Sequence, residues 1–238
     1  MTRNIPLGVY AAAQLLRSAS GGGGTPVGQI ISVTGSTSTT SASTLTYTSA
    51  PLGTAVSGRI LYIVCTYFDG SSTAESPSSV TVGGNSATLL QGIHAPSTTT
   101  CGISIWSYQD DGALGANANV VATHATARNS LSIAVVEASE GGGGVVDFAE
   151  DADTTASIAS SSLTTAGSAC LLYACMSQNG TDPTAPSPFT DGQSTFDEAS
   201  NEWVCVAWAN TPSGSSETVD VPASGMGLRS AYLALALD

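Results

Sequence analysis

From about residue 29 to the C terminus, short runs rich in Val, Ile, Leu, Thr and aromatic residues alternate with clusters of Gly, Ser, Asn, Asp and Pro. Runs of this length bounded by turn residues are the signature of a sandwich or barrel of antiparallel strands. The pattern predicts strands at 29–34, 44–48, 59–68, 79–82, 87–91, 102–109, 119–124 and 130–138, then at 145–149, 168–177, 202–209, 217–221 and 229–237. Helical periodicity is confined to a turn or two within 9–17. Ser, Thr, Val and Gly are abundant while Glu, Lys and Gln are scarce, which favours pleated strands over helices. The expected class is all-β, a jelly-roll-like antiparallel β-sandwich with an extended N-terminal arm.

Two stretches echo one another. Gly58-Arg59-Ile60-Leu61-Tyr62-Ile63-Val64-Cys65 resembles Gly167-Ser168-Ala169-Cys170-Leu171-Leu172-Tyr173-Ala174-Cys175, and Ile105-Trp106-Ser107 resembles Ala207-Trp208-Ala209. The strands of one sandwich would give such an echo, and so would two duplicated half-domains divided at the glycine run 141–144. A single sandwich over 28–238, with 141–144 as a crossing between sheets, is the preferred expectation. Residues 1–27 form the other unit, an arm and Gly-rich hinge that could span about 90 Å if fully extended.

Charge divides the chain the same way. The net charge is −13, there is no lysine, and no acid precedes Asp69. The arm carries Arg3 and Arg17 without an acid, +2. The rest holds three arginines against eighteen acids, −15. A surface so acidic repels polyanions, so neither nucleic acid nor an anionic membrane is an expected partner. No run of 18 apolar residues offers a transmembrane helix. The opening residues resemble a secretory signal only loosely, because Pro6 and Gly8 break the apolar run and Arg17 sits where a cleavage region is uncharged.

The five cysteines, Cys65, Cys101, Cys170, Cys175 and Cys205, match no paired metal spacing. Most lie in apolar runs, where cysteine behaves as a small hydrophobe, and they are read as core thiols of a protein assembled in a reducing cytosol. His94 and His124 belong to no nucleophile motif, and a Walker phosphate loop needs a lysine the chain does not have. The expectation is therefore a non-enzyme without a cofactor. Hard oxygen ligands concentrate at Asp110-Asp111 and at Asp147, Glu150, Asp151 and Asp153. The second group is the candidate calcium site, weighed against a solvated acidic loop, since its spacing departs from the EF-hand pattern. Trp106, Trp203, Trp208, Tyr62, Tyr108, Tyr173 and Phe189 could offer rings to a sugar, but most should be core. Residues 179–193, rich in proline, form the longest irregular stretch and the expected recognition loop.

The Ile5-Pro6-Leu7-Gly8-Val9 opening, the glycine run, the Arg59-Ile60-Leu61-Tyr62-Ile63-Val64 strand, the turn at 79–84 and the Ile103-Ser104-Ile105-Trp106-Ser107-Tyr108 strand together resemble accessory virion proteins of tailed bacteriophages. That resemblance implies a jelly-roll-like sandwich displayed on a head or tail, attached by a terminal arm, and it transfers no catalytic residue. The implied role is head decoration, cement or spike, and the alternative is a tail-tip or fibre protein binding host-surface carbohydrate. Anchoring residues would be Arg3, Ile5, Leu7, Val9, Tyr10, Leu15, Leu16 and Arg17, through apolar burial and pairing with acids on the shell. The implied partners are major capsid or tail proteins and further copies of the chain, with a trimer as one way to hide sheet edges. The implied location is the virion, after assembly in the host cytoplasm.

Overall fold

A computed structural model of the protein describes residues 30–38, 40–69, 76–94, 100–138, 144–153, 158–166, 168–178, 184–189, 191–199, 202–210, 215–221 and 230–238. The arm, residues 1–27, with all eight expected anchoring residues, lies outside the described residues. So do 141–143 and much of the expected recognition loop.

The fold is all-β with antiparallel sheets, sandwich-like, and the described residues contain no helix. The first half contributes β1 (Ile30–Ser38), β2 (Ala42–Pro51), β3 (Ile60–Asp69), β4 (Ser79–Val82), β5 (Asn85–Ser86), β6 (Thr88–His94), β7 (Thr100–Gln109), β8 (Asn117–Arg128) and β9 (Ser130–Ala138). The second contributes β10 (Val145–Asp153), β11 (Ser161–Thr164), β12 (Cys170–Gln178), β13 (Gly192–Ala199), β14 (Glu202–Ala209), β15 (Ser216–Val219) and β16 (Ser230–Leu237). Every strand expected from the sequence overlaps one of these. The three without a forerunner, β5, β11 and β13, are short or polar strands at sheet edges, too short or too polar in sequence to print an apolar pattern.

The same strand order occurs twice. One five-stranded sheet runs β1-β9-β3-β7-β6 and the other β10-β16-β12-β14-β13, so each strand of the first has a counterpart in the second. An outer sheet β2-β8-β4-β5 covers the first, and the pair β11-β15, counterpart of β2-β8, covers the second. Even the irregularities repeat: β1 skips a residue between Ile30 and Ser32 against β9, and β10 skips one between Val145 and Asp147 against β16. A bulge held at the same place fixes the same register in both edges. The echo seen in the sequence thus belongs to β3 with β12 and β7 with β14, the pattern of duplicated half-domains whose boundary falls between β9 and β10.

The halves are joined face to face. Ile60, Tyr62, Val64, Ile103, Ile105 and Val136 of the first sheet share one core with Leu172, Ala174, Val206, Leu233, Leu235 and Leu237 of the second. Smaller cores lie between each central sheet and its outer sheet. The central sheets are therefore covered on both faces, and β9 and β16 are buried at every residue. That explains the long apolar runs, 231–237 in β16 and 133–136 in β9, whereas β8, covered on one side, alternates. The rims meet reciprocally, β1 with β13 and β6 with β10, as two parts related by a twofold axis would.

Register corrects one detail of the echo. Cys65 and Cys175 are equivalent, each facing its own outer sheet, and counting from them places Tyr62 opposite Leu172 rather than Tyr173. Trp106 faces the first outer sheet, but Trp208 faces the core between the halves. The matched tryptophans are thus offset by one residue, and in a strand one residue is a change of face.

Candidate functional site

The acidic strand β10 is the edge of the second central sheet, and its alternation sorts its side chains onto two faces. Phe148 and Glu150 pair with Leu235 and Leu233 and so point toward the first half. Asp147, Ala149 and Asp151 pair with Ala236, Ala234 and Tyr232 and point toward the β11-β15 layer. Asp147 accepts hydrogen bonds from the Thr164 N–H (2.6 Å) and the Phe148 N–H (2.9 Å). Donation by the Thr164 backbone, chiefly, holds its carboxyl below the usual carboxylate range. Asp151 accepts from the N–H groups of Ala159 (2.6 Å) and Ala152 (2.8 Å). Glu150, on the other face, accepts from Gln91 Nε2 of β6 at 2.9 Å, bridging the two halves.

The calcium expectation asks these carboxylates to converge, and Asp147, Glu150 and Asp151 do not. Asp147 and Asp151 are about 13 Å apart along an extended strand, and Glu150 faces away from both. The Asp153 side chain lies outside the described residues. Among the described residues, no three His, Cys, Asp or Glu side chains are placed to hold one metal ion.

The other charged candidates are also tied into the scaffold. Arg59 at the head of β3 pairs with Asp110 just past β7, both buried. The guanidinium also donates to the carbonyls of Leu52 (2.9 Å), Thr54 (3.2 Å) and Gly115 (3.2 Å), and Asp110 accepts from the N–H of Gly112 (3.0 Å). Asp111 is exposed. Glu137, buried in β9, accepts from Ser32 Oγ and the Thr54 N–H. His124 packs edge-on to Tyr67, 5.2 Å between ring centres, with the Arg128 guanidinium 5.7 Å from the same ring. His94 is exposed at the end of β6.

Most of the aromatic residues considered for sugar binding are core. Tyr62, Trp106, Tyr173, Phe189 and Trp208 are buried, with Phe189 of the proline-rich segment packed on Tyr173. Tyr108 and Trp203 are half-buried. The large apolar side chains most exposed among the described residues are Val56, Leu89, Val146 and Phe148, and three of these belong to the neighbouring edges β6 and β10. Phe148, 45 % exposed, beside Gln91 and Glu150, makes this rim the candidate contact surface. No family model, curated protein or solved structure matches this chain.

Two features escaped sequence reasoning. Phe148 stands at an alternate position of an edge strand, so its exposure could have been found by assigning faces along 145–153. Asn210 became meaningful only once the halves were aligned. By the register that makes Ser104 and Cys205 equivalent it occupies the place of Gln109, and it accepts from the Ile30 N–H (2.7 Å) and donates to the Ile30 carbonyl (2.9 Å), clasping the start of β1 from the other half.

Proposed function

We propose that the protein is a non-enzymatic structural component of a tailed-phage-like particle, displayed on the particle surface as a head decoration, cement or spike and anchored by residues 1–27. One observation carries this reading. Arg59, Asp110, Glu137, Asp147 and Asp151 are engaged in the scaffold, holding loops and strands to a stack with three apolar cores. Sequence adds the opposed charges of arm and body, which suit an arm docked on an acidic shell and a body facing outward. Particle proteins or further copies of the chain are the partners, without a cofactor. The test is cryo-electron microscopy of purified particles labelled with antibody to this chain. Label over the head is expected, and a chain lacking residues 1–27 should fold yet fail to join particles. Normal incorporation of that variant would remove the anchoring role.

The exposed Phe148 beside Gln91 and Glu150 favours a second reading, a tail-tip protein whose rim stacks a host-surface sugar. Label confined to the tail tip, with glycan-array binding abolished by Phe148→Ala, would replace the first reading with this one.

A further inference from the structure

Cys175 of β12 and Cys205 of β14 are direct register partners, and both side chains lie in the core between the second central sheet and its outer pair. Residues directly opposite on antiparallel strands have Cα atoms about 4.5–5.5 Å apart. Disulfides span roughly 4.4–6.8 Å between Cα atoms, so this backbone would need little movement to carry one. Both thiols lie beside Tyr173, whose hydroxyl interacts with the Cys175 side chain. Neither is joined in a disulfide in this structure.

We infer that Cys175 and Cys205 are a disulfide-forming pair, closed when the protein exchanges with an oxidised low-molecular-weight disulfide such as glutathione disulfide. One thiol, as thiolate, attacks a glutathione sulfur and expels the first glutathione thiolate. The second attacks the resulting mixed disulfide at the protein sulfur, forming the Sγ–Sγ bond and releasing the second. The protein gives up two electrons and two protons, and glutathione disulfide becomes two glutathione thiols.

The repeat supplies its own control. In the first half Cys65, equivalent to Cys175, stands opposite Ser104, equivalent to Cys205, and Ser104 accepts from Trp106 Nε1 at 3.0 Å. Cys101 is opposite Phe68, and Cys170 is opposite Leu237. The second half alone places two thiols face to face, and among the described residues it is also the half with fewer outer strands, two against four. A bond there would tie the central strand β12 to β14, the strand on which the edge β13 rests. The inference does not depend on the protein's station on any particle.

Both thiols are buried, so the test should let the bond form during folding. The reduced, unfolded full-length chain is refolded in a glutathione redox buffer, trapped with iodoacetamide in denaturant so that every remaining thiol is reached, and mapped by peptide mass. The expected product is one cross-linked peptide joining Cys175 to Cys205, lighter by two hydrogens, with Cys65, Cys101 and Cys170 alkylated. The oxidised chain should also unfold at a higher temperature than the reduced one. Cys205→Ser, which copies the Cys65–Ser104 arrangement, should abolish that difference. Alkylation of all five cysteines across the glutathione ratios, a different pairing, or an unchanged oxidised–reduced difference in Cys205→Ser would overturn the inference.

Discussion

The equivalent edges β1 and β10 share a bulge, a length and equivalent neighbours, β9 and β16, yet one is uncharged and the other acidic. Aligned through the bulge, Ser32, Gly35, Ser36 and Ser38 of β1 stand where β10 has Asp147, Glu150, Asp151 and Asp153. Val33, packed against the shared core, stands where β10 exposes Phe148. The register is kept while the side chains of the rim differ, as expected when register is set by the core and edges are governed by what they must attract or repel. The strand ends diverge similarly. Just past β7 the first half holds Asp110 with its own Arg59, whereas at the end of β14 the second uses the buried Asn210 to clasp β1 of the first. One half is locked internally, and the other supplies a lock between the halves.

Breaking the internal lock should cost most. Asp110→Ala leaves the Arg59 guanidinium buried beside carbonyls alone, and a loss of about 3–5 kcal/mol in denaturant unfolding is expected. Asn210→Ala removes two buried bonds to Ile30 and should cost about 1–3 kcal/mol. Hydrogen exchange should accelerate at the Ile30 amide in this variant, a readout Asp110→Ala would not share. Asp147→Asn should have a smaller, pH-dependent effect. The native carboxyl titrates below its unfolded value, so its stabilisation is complete above the ordinary carboxylate range and fades as pH falls through the depressed native value. Parallel unfolding at neutral and strongly acid pH checks this: the wild-type advantage should be present in the first and gone in the second. Smallest of all, Phe148→Val, which makes β10 resemble β1 at that position, should shift stability by less than about 0.5 kcal/mol.

The fold was legible wherever burial left a pattern. Continuous apolar runs such as 230–237 marked strands with both faces covered, and 117–124 alternated because one face meets solvent. The polar edge β13 left no such trace, and its side of the second sheet could not be anticipated. Duplication was visible in the paired motifs, but the face of Trp208 was not. A one-residue slip is invisible to similarity and decisive in a pleated strand. At the rim, the sequence announced the acids of 147–153 and concealed their divergence, because an extended strand spaces Asp147 and Asp151 about 13 Å apart on one face and turns Glu150 to the other.

The face that the two halves share also sets a timetable. A ribosome adding roughly 5–20 residues per second leaves the first half waiting on the order of 5–20 s for its counterpart. Throughout that interval Tyr62, Val64, Ile103 and Val136 have nothing to cover them. A nascent chain in that state presents a self-complementary greasy sheet to every other nascent chain nearby. Slow synthesis or crowded polysomes should therefore favour exchange of halves between neighbouring molecules, and the yield of monomer should rise when translation of the second half is made faster.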